Sequence, residues 1–462
     1  MTDLVAARSQ MAMSLAFHIA FAVVGIGMPV LMVIAEGLWL KTQNKTYLVL
    51  AKRWAKGTAV MFAVGAVSGT VLSFELGLLW PGFMKHAGPI IGMPFSLEGL
   101  AFFTEAIFLG IYLYGWKRIS PKLHWLSGIM VAISGALSGI FVVMANAWMN
   151  SPAGFTFKNG VYGKIDPWAA MFNKASLSMA LHMTLASFVA IGFTVAAIHA
   201  FVLLKNPGSA FHRKAFKIAL LVGAISMPLQ LISGDISAKY VAKHQPAKLA
   251  AMEGQWNTEK GAPLRIGGWP DEKTETTKYA IELPKLLSFL SFNDFNAEVK
   301  GLKAFKKENR PPVAIVHFAF QIMVGAGMFM LFVGLLGGWL AWRRKSLPLD
   351  RWFLWLVVAT GPMGLIAIEA GWTVTEVGRQ PWIIYGFMKT KDAVSPMPGL
   401  VVPFLGFTLL YIFLTIIVVQ LLRRIVFQEP TPKLDDDEPD TPEVSEANAD
   451  AKANPAVAEG GV

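Results

Sequence analysis

The stretch 369–382 places ionisable side chains at the end of an apolar run of sequence. It contains the acids Glu369 and Glu376, the base Arg379, and tryptophans that include Trp372. Charged groups are costly near lipid, so such residues are functional candidates by default. At helical spacing all four fall on one face. A carboxylate there could ligate a metal, and a guanidinium could neutralise an acidic group.

Two further acids lie inside another apolar run. Glu98 and Glu105 are two helical turns apart, so they share one face, with Phe102 between them. The run contains no lysine that could pair with them. This pattern favours a proton relay or a contact with a cofactor over a structural ion pair.

Three residues that can ligate iron also lie within apolar runs, namely His18, His182 and Met323. A lone methionine on an apolar face is usually packing, and His182 by itself could equally be a hydrogen-bonded core residue. Their combination is more informative, because heme iron accepts His and Met as axial ligands in low-spin centres. The absence of cysteine excludes thiolate-ligated clusters and CxxCH heme attachment in this chain.

The composition indicates an integral membrane protein. Only 15% of the 462 residues are charged, against about 25% in soluble domains. Apolar runs of the roughly 20 residues needed to span a bilayer occur about nine times. We therefore predict an all-α polytopic protein in which two four-helix bundles and one peripheral helix are formed. The predicted spans are 11–40, 54–80, 94–116, 124–147, 177–204, 216–232, 313–342, 352–371 and 400–422.

The placement of charge predicts the orientation in the membrane. The net charge is +11, and Lys and Arg concentrate after the first, third, fifth, seventh and ninth runs. The positive-inside rule then places those loops and the C-terminus in the cytoplasm, and the N-terminus outside. In this orientation His18, His182 and Met323 lie within roughly 9–17 Å of the outer surface at 1.5 Å per residue. Glu376 lies at the same end.

Two regions are not predicted to span the membrane. The polar segment 234–310 is too long for a passive connector, and it contains helix-like pieces at 247–256 and 298–307. The tail 429–462 is acidic and rich in Ala and Pro, which predicts a disordered cytoplasmic segment. The chain then divides into helices 1–6 over 1–233, an outer loop over 234–310, helices 7–9 over 311–428, and the tail.

The string GWTVTEVGRQPW at 371–382 resembles the signature of subunit I of the cytochrome bd quinol oxidases, and the resemblance extends from Arg8 to about Arg424. It implies that His182 and Met323 ligate the low-spin heme b558. It further implies that His18 and Glu376 serve a high-spin pair, heme b595 and heme d, or a b-type heme in place of heme d. Residues implied at the oxygen-reduction site are Glu98, Glu105, Trp372 and Arg379.

The same resemblance assigns a quinol site to the segment 245–254. Lys248 and Glu253 alone would be an ordinary solvated charge pattern, but the segment matches the family's quinol-binding sequence. A quinol loses two protons with its two electrons, so a carboxylate could accept a proton while a lysine holds a quinol oxygen. Arg8 matches another position implied near this site, although a snorkelling surface arginine is the simpler explanation. The implied substrate is ubiquinol.

Gln321 departs from the pattern of many relatives, which have arginine there. Loss of that positive charge should lower the potential of the heme beside Met323. Together with the short outer loop, Gln321 resembles the cyanide-insensitive branch of the family, some of whose members have b-type heme instead of heme d.

The sequence thus predicts the heme-bearing subunit of a terminal quinol:oxygen oxidoreductase in the bacterial cytoplasmic membrane. Quinol would be oxidised at the outer face and O2 reduced to water, which would generate proton motive force without pumping. The implied partners are a second membrane subunit and, in many members, a small single-helix subunit; no nucleic acid is implied. Two alternatives stay open, a heme-b quinol dehydrogenase subunit and a proton-coupled transporter, although neither broken helices nor internal repeats are evident.

Overall fold

The computed structural model describes residues 1–158 and 161–428. Its helices are α1 (Asp3–Thr42), α2 (Lys45–Leu79), α3 (Pro81–Tyr114), α4 (Pro121–Asn150), α5 (Pro167–Met171), α6 (Ser176–Leu203), α7 (Ala210–His244), α8 (Pro246–Glu253), α9 (Leu286–Phe292), α10 (Val313–Arg344), α11 (Arg351–Thr360), α12 (Met363–Val377) and α13 (Val401–Arg423). Short 3-10 turns lie at Leu302–Ala304, Lys307–Asn309 and Thr390–Asp392, and a π-helical turn at Arg424–Gln428.

Short antiparallel strand pairs occupy the connections. They are β1 (Thr156–Lys158) with β2 (Val161–Gly163), β3 (Glu259–Lys260) with β8 (Glu298–Val299), β4 (Leu264–Ile266) with β7 (Ile281–Leu283), β5 (Trp269–Asp271) with β6 (Thr276–Lys278), and β9 (Trp382–Ile384) with β10 (Met388–Lys389). The three pairs formed by β3–β8 lie between α8 and α10 and form a hairpin cap there.

Local sequence explains where the long helices begin. Side chains of Thr2, Asn44, Ser120 and Ser209 accept hydrogen bonds from backbone N–H groups in the first turns of α1, α2, α4 and α7. Such caps satisfy donors that a helix leaves free. Pro121 follows its cap at the first helical position, where proline's missing N–H has no cost.

Nine helical segments within the described residues are long and apolar enough to cross a membrane, which confirms the predicted all-α polytopic class. Helices α1–α4 pack on one another as a first bundle. Helices α6, α7 and α10, with the segment α11–α12, form a second bundle, and α1 and α4 contact α6 between the two. Helix α13 packs on α1 and α2 from outside.

The structure corrects three local expectations. Helix α7 continues to His244, so the predicted boundary between residues 233 and 234 falls inside a helix. The eighth span is broken into α11 and α12 at Gly361 and Pro362, which overturns the expectation that broken helices are absent. The piece at 298–307 is a strand followed by 3-10 turns. The predicted tail 429–462 lies outside the described residues.

Candidate functional site

The segment 245–312 covers one end of the two bundles, and we call this end the loop end. Lys248 lies there in a network of buried and partly buried polar side chains. Its ammonium nitrogen donates to the Asn150 side-chain oxygen at 2.8 Å, and Asn150 donates to the Asn146 carbonyl at 3.1 Å. Gln245 donates to the Asn150 carbonyl at 2.6 Å. The short helix α8 is therefore fixed to the end of α4.

Glu376 belongs to the same network. The Asn146 amide donates to its Oε1 at 2.6 Å, and Arg379 donates to its Oε2. The stem of Lys248 lies against Gly378, where an added methyl group would be 3.0 Å from its Cγ. Helix α12 ends at Val377, so Arg379 acts from the turn after the helix and still reaches Glu376.

Burial adjusts the acidity of both candidate quinol residues. Lys248 is 4% exposed, and desolvation together with Arg379 lowers the pKa of its ammonium group to about 7. Glu253 is 3% exposed, and desolvation raises the pKa of its carboxyl group to about 8, with Arg265 opposing the shift. A base whose pKa is near the working pH is well suited to proton transfer.

The two residues face different neighbours. The electrostatic partners of Lys248 are Arg379 and Glu376, whereas that of Glu253 is Arg265 in the hairpin cap. The Oε2 atom of Glu253 is buried without a hydrogen-bond partner in the described part of the chain. A buried acceptor of this kind is costly unless a ligand or a proton satisfies it.

His182 is supported by α7. Its Nδ1 is 3.0 Å from the Ser233 hydroxyl, and the Gln230 amide nitrogen lies 3.2 Å from Nδ1 and 3.1 Å from Nε2. The ring is therefore held in orientation by two polar side chains of the neighbouring helix, as is usual for a histidine that ligates a metal.

Met323 lies on α10, which packs against α7 and α12. Gly327 of α10 packs against Met227 of α7, so Met323, one turn nearer the loop end, faces the level of Gln230. The Met323 sulfur lies against α12, where a methyl group at Gly371 would be 3.0 Å from it.

His18 is braced by α2 in the first bundle. Its Nδ1 is 2.9 Å from the Ser68 hydroxyl, and Gly69 leaves space for the ring, because an added methyl group there would lie 3.0 Å from Cε1. No direct hydrogen bond joins His18 to Glu376 among the described residues. The second nitrogen of the ring, Nε2, remains available.

Glu98 and Glu105 lie between α3 and its neighbours. Ser138 of α4 donates to Glu98 at 3.2 Å. Glu105 is 5% exposed, and its carboxyl group occupies space left by Gly25 and Gly135; a methyl group at Gly135 would be 3.1 Å from Oε1. The predicted shared face of α3 is thus directed into the first bundle.

Trp372 and Arg8 occupy different surroundings. Trp372 is partly buried and packs against the hydrophobic core that spans both bundles. Arg8 is exposed and lines a cavity of about 240 Å³ with Glu308, Gln380 and Lys389. Neither Lys248 nor Glu253 lines that cavity, so Arg8 is separate from the predicted quinol residues.

The donor set suits heme. The imidazole of His182 and the thioether of Met323 are the axial ligand types of a low-spin heme. Arg379 is 1% exposed, and its Nε and Nη1 atoms have no hydrogen-bond partner in the described residues. An acidic substituent such as a heme propionate would satisfy both donors.

Several supporting residues were missed in the sequence. Asn146 and Asn150 share a face of α4, and their i, i+4 spacing at the end of an apolar run was a usable signal. The others contact predicted site residues from a neighbouring helix, and no local sequence pattern reveals such contacts. They are Ser68, Ser138, Gln230 and Ser233.

Comparisons with known proteins agree with this arrangement. The family model of cytochrome bd terminal oxidase subunit I matches residues 6–430. The chain belongs to this family. It is 40% identical over 437 residues to a Bacillus subtilis protein with the provisional name cytochrome bd menaquinol oxidase subunit I, covering 93% of this chain and 98% of that one. It is 34% identical over 440 residues to the cytochrome bd ubiquinol oxidase subunit 1 of the same species, covering 92% and 93%.

A solved structure is also similar. The bd oxidase from Geobacillus thermodenitrificans superposes with a TM-score of 0.88 at 39% identity, covering 93% of this chain and 99% of that one. The predicted family and enzyme class, a quinol oxidase of the bd type, are confirmed. The chain is a heme-bearing, multi-pass subunit of a bacterial membrane oxidase. This family membership excludes the dehydrogenase and transporter alternatives.

Proposed function

We propose that this subunit oxidises quinol at the loop end, beside Lys248 and Glu253, and supports reduction of O2 to water near His18, Glu98, Glu105 and Glu376. The observation that carries the proposal is the buried network from Lys248 through Asn150 and Asn146 to Glu376. Through two asparagines, this network joins a candidate quinol residue to a candidate heme ligand.

Lys248 and Glu253 would remove the two protons of the quinol. With a pKa of about 7, a substantial fraction of Lys248 is neutral amine at neutral pH and can accept a proton. Glu253, with a pKa of about 8, would accept a proton as its carboxylate, and its unpaired Oε2 would meet a quinol hydroxyl. The strand hairpins above α8 would restrict water at this position.

The candidate ligands divide into two sets. His182 and Met323 would hold the low-spin heme b558, and His18 and Glu376 would serve the high-spin pair, heme b595 and heme d, or a b-type heme in place of heme d. When bound, the hemes supply one-electron transfer and an iron centre for oxygen. Arg379 would neutralise an acidic substituent, Trp372 would pack beside the high-spin pair, and Glu98 and Glu105 would manage protons.

The orientation follows from the loops. Basic side chains concentrate at the end opposite the loop end, hereafter the basic end, which we assign to the cytoplasm. Protons from quinol would leave outside, and protons for water would enter from the cytoplasm. Proton motive force would arise without pumping, in partnership with a second membrane subunit and, in some assemblies, a small single-helix subunit.

The substrate would be a membrane quinol. The related proteins are named for menaquinol and for ubiquinol, and ubiquinol is the substrate that we propose. Gln321 and the short loop favour membership of the cyanide-insensitive branch. Arg8 would act on the quinol from the cavity that it lines with Gln380, the residue after the Lys248 partner Arg379.

The first experiment is a reduced-minus-oxidised optical spectrum of the purified complex with analysis of the extracted hemes. A low-spin b signal with a red-shifted chlorin band would establish heme d. Heme b alone, with quinol-driven oxygen uptake that cyanide does not inhibit, would support membership of the cyanide-insensitive branch. Proteoliposomes that produce no membrane potential while consuming oxygen would contradict the proposed proton route.

A further inference from the structure

A second group of polar side chains is buried at the basic end, far from the quinol residues. It consists of Glu36 of α1, Tyr112 of α3 and His124 of α4, each 2% exposed or less. The His124 Nδ1 lies 2.7 Å from Glu36 Oε1, and its Nε2 lies 2.8 Å from the Tyr112 carbonyl oxygen.

The partners of His124 fix how many protons the group holds. A carbonyl oxygen can only accept a hydrogen bond, so Nε2 must donate to Tyr112. The contact between Nδ1 and Glu36 then holds one further proton, either on the imidazole or on the carboxyl group. The pair is thus two bases that share a single proton inside the protein.

Two atoms of the group remain unsatisfied. The Oε2 of Glu36 and the hydroxyl of Tyr112 are buried without a hydrogen-bond partner in the part of the chain that the structure describes. The Tyr112 hydroxyl and the Glu36 carboxyl group nevertheless lie close enough to interact, without good hydrogen-bond geometry between them. Buried polar atoms of this kind commonly bind ordered water, and a water molecule there would allow the shared proton to leave the pair.

A line of polar residues leads from this group toward the oxygen-reduction site. Tyr112, Glu105 and Glu98 are successive seventh residues of α3, so they lie on one face at intervals of about 10 Å. On α4, Ser134 lies buried between His124 and Ser138, and Ser138 donates to Glu98. The interface of α1, α3 and α4 therefore contains proton-bearing groups along much of its length.

We propose that Glu36, His124 and Tyr112 form the proton-loading site that supplies Glu105 from the basic end; this inference rests on the orientation and function proposed above. Reduction of one O2 to two waters consumes four protons and four electrons. For each proton, the pair releases its shared proton through water to the Glu105 carboxylate and is then reprotonated from the cytoplasm. Glu36 and His124 are positioning residues for delivery and do not touch oxygen.

The surroundings suit entry from the cytoplasm. The Trp116 ring packs on His124 in a tilted arrangement with centroids 3.9 Å apart, and the Lys52 ammonium lies 5.0 Å from the Trp116 ring centroid. Glu36, Tyr112 and Lys52 are the ionisable groups nearest the imidazole among these contacts. Trp116 and Lys52 would separate the loaded site from bulk solvent.

The test uses the complete oxidase in proteoliposomes with Glu36→Gln and Tyr112→Phe. Proton uptake from the basic-end compartment is followed during a single reduction of O2, together with the solvent deuterium isotope effect and the heme spectrum. We expect full heme content, uptake slowed at least tenfold in Glu36→Gln, and an increased isotope effect. Tyr112→Phe should show a smaller slowing, and Glu36→Asp should restore much of the rate.

Trp125→Phe is the matched control. It removes a buried hydrogen bond from the indole to the Val33 carbonyl beside the same group, but it removes no titratable side chain. It should leave uptake and the isotope effect unchanged. In infrared difference spectra between reduced and oxidised enzyme, Glu36→Gln should remove a carboxyl or carboxylate band.

Wild-type uptake in heme-replete Glu36→Gln would overturn the inference. If that variant does not assemble, Tyr112→Phe decides, because it removes only the hydroxyl group beside Glu36 and keeps the ring. Unchanged uptake there would overturn the inference as well. Failure of the proposed orientation is distinguishable, since the wild-type enzyme itself would then take up no protons from the basic-end compartment.

Discussion

The two bundles differ in the kind of polar group that they bury. The first bundle, α1–α4, fully buries the acids Glu36, Glu75 and Glu105. In the described part of the second bundle the acids Glu369 and Glu376 of α12 are only partly buried, and the fully membrane-embedded candidate ligands on its other helices are the neutral His182 and Met323. We infer that the fully buried acids of the first bundle handle protons, whereas the low-spin heme is held among neutral side chains, because a buried carboxylate near a heme would alter its redox potential.

Removal of His182 should have the largest effect, because it tests whether the low-spin heme can be lost without the high-spin hemes. His182→Ala should eliminate the low-spin heme signal and quinol-driven oxygen uptake, because one axial ligand and its supports from α7 are lost. Features of the high-spin hemes, assigned to His18 and Glu376, should persist after chemical reduction. Optical spectra and oxygen electrode measurements provide the check. His244→Ala is the control, since that ring contacts the Tyr240 carbonyl at the end of α7 and should be dispensable. Loss of all hemes together would contradict the separation.

The quinol residues should give the next largest effect. Glu253→Gln or Lys248→Met should lower kcat/KM for quinol by about 10²-fold, a typical loss when a general base is removed, with unchanged heme spectra. Steady-state oxidation of quinol measures it. Lys278→Met is the matched control, because Lys278 is in the same loop segment but forms an exposed ion pair with Asp271. An equal loss in that variant would indicate a general effect on the loop.

The pH profile sharpens the roles within the quinol site. Each group acts as a base only when deprotonated, so the rate should rise as pH increases through about 7 for Lys248 and about 8 for Glu253. Across two pH units centred on either value the base fraction rises about tenfold. In Glu253→Gln the residual rate should level off above the lower value. A profile that falls over this range in the wild-type enzyme would refute both assignments.

The smallest effect is expected at Gln321. Its side chain accepts from Gly267 N–H and donates to the Arg265 carbonyl, both at 3.0 Å, which fixes the hairpin cap to α10. Gln321→Arg should raise the potential of the heme beside Met323 by adding positive charge, with a modest change in turnover. Potentiometric titration tests this. Gln321→Met loses the same hydrogen bonds without adding charge, so an equal shift in that variant would implicate movement of the cap instead.

Much of the architecture could be predicted because its causes are local. A run of apolar residues long enough to cross a bilayer must satisfy its backbone hydrogen bonds internally, so it forms a helix wherever it occurs. The depths of His18, His182 and Met323 within those helices could be predicted by counting residues from the ends of the apolar runs. Predicted helix ends were less accurate, because α7 continues through polar sequence that packs against α8 and α9.

The sequence by itself determined the membrane class, the positions of the spans and the residues able to bind iron or carry protons. Only the tertiary structure decided which of them meet. The link from Lys248 to Glu376 depends on Asn146 and Asn150, and the pair of Glu36 and His124 joins residues 88 positions apart. Such contacts arise from the packing of helices whose separation in sequence is large. Periodicity reports the face on which a residue lies, whereas the partner on that face is selected by side-chain volume and by the glycines that admit close approach.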